Sequence, residues 1–219
     1  MATRQILGEL VDAYRAASGR TAAIESVGGV DAARRVREGE AFDVVVLADD
    51  ALAKLEAEGH LAPGTRTGFT LSALAAATRA GAAPLVIADE AAERDAILAA
   101  ATIGYSTGPS GTYLLNLVKR WGVDDVVAPK LRQAPPGVPV GTMVARGDAE
   151  IGFQQTSELL GVAGIELAGP LPPAVAFETL FAAAVGARAA DPDTARDFVA
   201  FLASPVTADC KRRNGMEPA

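Results

Sequence analysis

Helical segments and short apolar strands alternate along this chain, and the alternation limits the folds that it can adopt. Residues 31–39 read DAARRVREG, an amphipathic helix ended by a glycine, and the apolar run FDVVVL follows at 42–47. Another helical segment, 49–58, comes next and ends at Gly59. Because a nearly continuous apolar strand between helices is typical of a parallel sheet covered on both faces, this pattern predicts an α/β fold.

The rest of the chain repeats the pattern. The other predicted helices are 4–18, 89–101, 110–121, 140–146, 158–160 and 194–211, the last with Asp193 as its N-cap. The other predicted strands are 21–25, 71–78, 102–105, 130–133, 150–154, 165–167 and 174–185. Two α/β units with strands crossing between them predict two lobes, residues 1–72 with 175–219 and residues 73–174, with a ligand cleft between the lobes.

Composition excludes several classes of function. The chain has a net charge of −7 and no basic cluster longer than Lys211-Arg212-Arg213, so we expect no nucleic-acid partner. A single cysteine, Cys210, and a single histidine, His60, permit neither an intrachain disulfide nor a metal site built from several histidines or from CxxC pairs. The apolar runs are too short to span a membrane. We therefore expect a monomer without metal or cofactor.

The segment GYSTGPSGTY at 104–113 combines glycines and small hydroxyl residues at the start of a predicted helix. A helix N-terminus offers unpaired N–H donors and a partial positive charge. The hydroxyls of Ser106, Thr107 and Ser110, with the N–H groups of Gly111 and Thr112, can surround an oxyanion. No Lys-Ser/Thr pair follows the last glycine, which excludes a Walker motif. The segment therefore predicts an anion-binding loop.

Four segments together resemble the bacterial type II periplasmic binding proteins. They are SVGGVDAARRVREGEAFDVVVLADDALAKLEAEG, GYSTGPSGTYLLNLVKRWGV, VPVGTMVARGDAEIGFQQTSEL and ARDFVAFLASPVTADCKRRNGMEPA, and they cover almost the whole chain. Within the family the likeness is to the molybdate-binding branch, whose relatives include aconitate isomerase. The resemblance implies a two-lobed type II fold in which each lobe is a mostly parallel sheet flanked by helices.

Two features depart from the family pattern. Family members place a strand and a Ser- or Thr-bearing loop before the first helix, whereas this chain begins almost on that helix, so residues 1–3 would supply that edge of the site. The sequence also shows no export signal. The resemblance implies a periplasmic protein that serves an ABC-type membrane transporter, whereas a true start at Met1 implies a cytoplasmic protein.

The resemblance places ligand contacts on loops where strands end and helices begin, including the loop 136–142. The expected ligand-binding residues are Thr3, Arg4, Ser26, Gly28, Gly29, Arg79, Ser106, Thr107, Ser110, Gly111, Thr112, Val138, Pro139, Val140, Gln154 and Gln155. Alternatives stay open at three places: a simple N-cap turn at 26–29, a solvent-facing Arg79, and a surface position for Gln155, since strand alternation turns only one of the two glutamines inward.

Two functions compete. The first is a solute-binding protein for a small anion, either a molybdate-like oxyanion or a di- or tricarboxylate, which adjacent glutamine amides suit well. The second is an isomerase that shifts the double bond of a tricarboxylate by proton transfer, for which Glu25, Tyr105 or Glu158 would supply the base. In that case Arg4 or Arg79 would hold carboxylates. Whether the protein is an enzyme stays open at this point.

Overall fold

The computed structural model describes residues 2–135 and 137–219, and the chain divides into two compact units. One unit comprises Met1–Ser72 with Thr179–Ala219, and the other is Ala73–Glu178. Met1, expected at the edge of the site, and Pro136, in the loop 136–142, lie outside the described residues. None of the helices in the described ranges is long and apolar enough to cross a membrane.

Helices and strands alternate along most of the described chain. The helices are α1 (Arg4–Ser18), α2 (Gly29–Arg37), α3 (Asp49–Ala57), α4 (Glu90–Ala99), α5 (Pro109–Arg120), α6 (Asp124–Val127), α7 (Val140–Arg146), α8 (Thr156–Leu159), α9 (Pro192–Ala203) and α10 (Ala208–Arg213). The strands are β1 (Val44–Ala48), β2 (Thr67–Arg79), β3 (Ile103–Tyr105), β4 (Leu131–Gln133), β5 (Ile151–Gln155), β6 (Ile165–Pro170), β7 (Glu178–Val185) and β8 (Glu217–Pro218).

The sheet of the first unit is covered with apolar side chains on both faces. β7 lies between β1 and β2, β1 and β7 are antiparallel, and β8 pairs with the first part of β2. Successive strand residues point to opposite faces, which divides the core in two. The cluster with α1 and α9 includes Leu10, Tyr14, Phe69, Ala183, Val185 and Phe198. The cluster with α2 and α3 includes Val36, Val45, Leu47, Leu52, Ala182 and Ala184.

The second unit contains a mixed sheet. β3 is parallel to both β4 and β5, whereas the second part of β2 is antiparallel to β5 and β6. Helices α4 and α5 pack on one face around Ile97, Leu114 and Phe153. Helix α7 packs on the other face with Val140 and Val144. The α/β fold with helices flanking a mixed sheet confirms the predicted class, although antiparallel pairs replace much of the parallel pairing that was expected.

Two neighbouring glycines allow α7 to approach the sheet closely. Gly104 on β3 and Gly152 on β5 are register partners. A Cβ atom at position 152 would lie 2.6 Å from Val144 Cγ2 and 2.8 Å from Val140 Cγ1, and one at position 104 would lie 3.0 Å from Val140 Cγ1. Since these distances are too short for carbon contacts, the absence of both side chains allows α7 to lie this close to β3 and β5.

Three sequence-based assignments of secondary structure are wrong in whole or in part. The predicted strand 174–185 begins only at Glu178, and Pro173–Val175 form a 3₁₀ turn. The predicted strand 21–25 is irregular backbone, because no strand among the described residues pairs with it. The predicted helix 194–211 is interrupted after Ala203, because Pro205 holds Ser204 in an extended conformation with φ −71° and ψ 151°. The N-cap of α9 is Asp191 rather than Asp193, and its carboxylate accepts the Thr194 N–H at 3.0 Å.

Candidate functional site

Three strands of the second unit end at one edge of its sheet, and the predicted polar loops follow them there. Tyr105 at the end of β3 is in register with Phe153 on β5 and with Gln133 on β4. Because parallel strands run in the same direction, Ser106 and Gln154 come next at this edge. Helices α5, α7 and α8 begin shortly after the three strands. The local topology thus brings together two loops that the sequence placed at a binding site.

The loop after β3 is organised by serine hydroxyls. Ser106 Oγ and Ser110 Oγ lie 2.9 Å apart, and the Gly108 N–H donates to Ser106 Oγ at 3.3 Å. Ser110 is only 1% exposed, whereas Ser106 is half-buried and Thr107 is exposed. Ser106 and the exposed Thr107 therefore carry the hydroxyls that a ligand can reach, and Ser110 holds Ser106 in position. Thr112 is exposed, and its hydroxyl donates to the Gly108 carbonyl at 3.3 Å.

Gly111 has a steric reason to be glycine that the sequence did not show. A Cβ atom at this position would lie 1.7 Å from the Ser106 carbonyl oxygen and 3.2 Å from Cδ2 of Tyr105. The first turn of α5 therefore packs directly against the backbone at the end of β3. Tyr105 itself is half-buried against the apolar core of this unit.

Gln154 connects β5 to the start of α7. The Val140 N–H donates to Gln154 Oε1 at 2.8 Å, and both residues are buried. This bond occupies the Val140 N–H, one of the backbone donors of the loop 136–142 that was predicted to bind ligand. It also fixes the side-chain amide of Gln154 so that its NH₂ group is the donor left for another partner. Val138 and Pro139 are half-buried in the same loop.

Gln155 occupies the last position of β5, opposite Leu74 on β2. It is 2% exposed, so the alternative of a surface glutamine is wrong. Both adjacent glutamines are buried because helices cover both faces of this sheet.

Glu158 follows the two glutamines on the short helix α8 and is half-buried. Burial raises the pKa of the Glu158 carboxyl above its ordinary value, and a hydrogen bond from the Gln154 side chain acts in the opposite direction. Gln154 thus lies between the start of α7 and a carboxyl group. Both residues were candidates from the sequence, but no sequence pattern indicates that their side chains are hydrogen-bonded to each other.

Arg79 is not part of this cluster. It ends β2, which runs antiparallel to β5, and the preceding residue Thr78 pairs with Ile151 at the amino end of β5. Arg79 therefore lies at the edge of the sheet opposite to Gln154 and Ser106, with its guanidinium near Gly147. The prediction that Arg79 contacts the ligand alongside these residues is corrected by the strand direction.

The predicted site residues that precede α2 lie in the first unit. Glu25 forms an ion pair with Arg35 at 2.6 Å, and its side chain is 65% exposed, which does not suit a catalytic base. Ser26 is half-buried. Gly28 has a negative φ of −60°, and a Cβ atom there would contact nothing within 4 Å, so the fold of this unit does not require glycine.

The first residues of the chain give α1 its start. Thr3 is the N-cap of α1 without a side-chain capping bond, and Arg4 is exposed. In the sequence as far as the structure describes it, no group of three or more His, Cys, Asp or Glu side chains is placed to hold a metal ion.

Comparison with known proteins gives the family. An aconitate isomerase from a Pseudomonas species is 35% identical over 216 residues, which cover 96% of this chain and 82% of that protein. The periplasmic molybdate-binding protein of Azotobacter vinelandii has a TM-score of 0.81 at 18% identity and covers 98% of this chain and 95% of its own. PEB3 bound to L-phospholactate has a TM-score of 0.76 at 12% identity, over 99% and 96% of the two chains. The family model described as bacterial extracellular solute-binding protein matches residues 1–217, and the chain belongs to this family.

Proposed function

We propose that this protein binds an aconitate-like tricarboxylate and shifts its double bond by proton transfer. The observation that carries the proposal is the orientation of Gln154, whose Oε1 is occupied by the Val140 N–H. Its NH₂ group is then a fixed donor at the edge where the Ser106 hydroxyl lies. One of its two hydrogens bonds Glu158, and the second, like the Ser106 hydroxyl, suits a carboxylate. The 35% identity with an aconitate isomerase across 96% of the chain supports this choice of substrate.

The isomerisation requires two kinds of group, hydrogen-bond donors and a base. Removing a proton from a carbon between carboxyl groups creates negative charge, which spreads into the adjacent carboxylate and is stabilised by hydrogen-bond donors fixed in advance. Ser106 and Gln154 are such donors. The proton itself requires a base within reach of the carbon.

A second candidate function is anion binding without chemistry. It is favoured by the composition of the loop 104–113, which contains hydroxyl and backbone donors but no lysine or arginine. Neutral donors of this kind are sufficient for a tetrahedral oxyanion with four equivalent oxygens. Under this alternative molybdate would bind at least as tightly as a tricarboxylate.

Calorimetry and thermal unfolding with trans-aconitate, cis-aconitate, citrate, molybdate and sulfate distinguish the two functions. We expect the aconitates to bind with 1:1 stoichiometry, to raise the melting temperature and to bind more tightly than molybdate. Incubation with trans-aconitate should then yield the cis isomer. Tighter binding of molybdate, or no response to any carboxylate at millimolar concentration, would contradict the proposal.

Replacing Ser106 with alanine should weaken aconitate binding by about 1–3 kcal/mol, because a hydrogen bond to a charged group is lost. The change is measured by calorimetry alongside the melting temperature. Ser204→Ala is the matched control, since its hydroxyl donates to the Phe201 carbonyl at 2.8 Å in the first unit. Equal affinities of Ser106→Ala and the parent would show that this loop shapes the chain without binding the ligand.

A further inference from the structure

One carboxyl group of the second unit, that of Glu158, lies next to Gln154, one of the proposed donors. Glu158 is hydrogen-bonded by the Gln154 side chain, and Gln154 in turn accepts the Val140 N–H at 2.8 Å. Side chains and backbone from β5, α7 and α8 thus hold this carboxyl in place. Because Glu158 is half-buried rather than fully buried, a small molecule at this edge of the sheet can reach it.

The other candidate bases are less suited to accept a proton. Glu25 is engaged by Arg35 at 2.6 Å and is largely exposed. Tyr105 packs against the apolar core of this unit. The hydroxyls of Ser106 and Ser110 bond to each other at 2.9 Å, and no base contacts them among the described hydrogen bonds.

We propose that Glu158 is the base that moves the proton in the isomerisation and that Gln154 is its positioning residue; the inference rests on the proposed function. The Glu158 carboxylate takes a proton from the methylene carbon of trans-aconitate, and the electron pair of the broken C–H bond forms the new carbon–carbon double bond. The electrons of the original double bond are delocalised into the neighbouring carboxylate. The carbon at the other end of the three-carbon unit then takes the proton back from Glu158. The reaction therefore needs no oxidant, reductant or second substrate.

The electrostatics of the site agree with this role. Burial raises the pKa of the Glu158 carboxyl, which makes its ionised form a stronger base than an exposed glutamate. The Gln154 amide opposes this effect by donating to the carboxylate. Removing the amide should therefore change the pH at which the base is half-ionised, which a purely structural role would not do.

The test measures isomerisation and deuterium incorporation when the parent and its variants are incubated with trans-aconitate in deuterated water. Glu158→Gln should bind trans-aconitate within about threefold of the parent and lose at least 100-fold in both rates. Glu158→Asp should recover part of the rate. Glu166→Gln is the matched control, because Glu166 accepts the Gly81 N–H at 3.2 Å at the opposite edge of the same sheet, and it should retain the parent's rates.

A variant of the positioning residue completes the test. Gln154→Met should retain a folded structure by circular dichroism, lower the rate and raise the pH of half-maximal activity. Deuterium incorporation by Glu158→Gln at the parent's rate would overturn the assignment of the base. A parent protein that binds aconitate but neither isomerises it nor exchanges deuterium would also overturn it while leaving carboxylate binding intact, and a parent that does not bind aconitate would remove both proposals. If Glu158→Gln does not fold, Glu158→Asp decides, since unchanged rates in that variant would contradict the proposal.

Discussion

Replacing Gly111 with alanine should destabilise the protein by about 3 kcal/mol or more and abolish ligand binding. The added Cβ atom would lie 1.7 Å from the Ser106 carbonyl oxygen, a distance that only a backbone shift can relieve. Overpacking of a well-packed region costs about 1–3 kcal/mol where side chains can adjust, and here the contact is with backbone. Moving the first turn of α5 would also separate Ser110 from Ser106. Urea unfolding and calorimetry with trans-aconitate measure the two effects.

Gly108→Ala is the control for this prediction. It lies in the same loop, has a negative φ of −86°, and a Cβ atom there would meet only Ser106 Oγ at 3.7 Å, an ordinary contact. Its stability should therefore stay within about 1 kcal/mol of the parent. Comparable stability losses in Gly108→Ala and Gly111→Ala would show that the close packing at Gly111 does not decide the stability of the loop.

The elements that the sequence predicted well have local causes. α1 was predicted at 4–18, and it occupies Arg4–Ser18, because apolar residues recur at helical spacing and Gly19 ends the helix at φ 73°. The prediction of α7 at 140–146 is confirmed in the same way, with Gly147 at φ 83°. Helical periodicity and a terminal glycine are properties of a few neighbouring residues, so the sequence shows them directly.

The predictions that were wrong have two causes. Some elements depend on distant parts of the chain, and in one segment two local signals point to different structures. Residues 21–25 have the composition of a strand, but a strand also needs a partner, which the described structure does not provide. Pro205 marks a helix boundary, whereas the apolar periodicity of 194–211 continues past it and predicts a single helix. Strand direction is likewise a tertiary property, and the sheets therefore contain more antiparallel pairs than the α/β pattern predicts.

The candidate site was predictable to a similar extent. The hydroxyl loop at 106–112 and the two glutamines were recognisable as polar residues after apolar strands. The position of Arg79 at the opposite edge was not recognisable, because it follows from the antiparallel pairing of β2 with β5. The bond between the Val140 N–H and Gln154 was hidden for the same reason, since fourteen residues separate the partners.

Glu93 is a carboxyl group that the structure places in the interior of the second unit. It lies on α4 one turn before Ile97, is 0% exposed, and neither carboxyl oxygen has a hydrogen-bond partner in the structure as described. Burial, with a smaller contribution from the nearby Glu90 charge, raises its pKa from 4.5 to about 7. A buried carboxylate without partners is costly, so the folded protein favours the protonated form.

Stability should therefore fall as the pH rises from about 4.5 to about 7 and then level off. The folded state binds the Glu93 proton more tightly than the unfolded state, so its contribution is complete below pH 4.5 and is lost as the pH passes through the folded pKa. The loss is on the order of 3 kcal/mol, because one pKa unit corresponds to about 1.4 kcal/mol. Glu93→Gln, which cannot ionise, should show a correspondingly flatter profile of the free energy of unfolding between pH 5 and 8.

Urea unfolding followed by the fluorescence of Trp121 is suited to this measurement. Trp121 Nε1 donates at 2.7 Å to Glu90, which lies on α4 together with Glu93. Glu158 also has a raised pKa and contributes a slope of the same sign, so the difference between parent and variant isolates Glu93. Asp95→Asn is the control, because the Asp95 side chain is 71% exposed on α4 and this variant should follow the parent. Identical pH profiles of the parent and Glu93→Gln would mean that water or a local opening of α4 already solvates the ionised carboxylate at neutral pH.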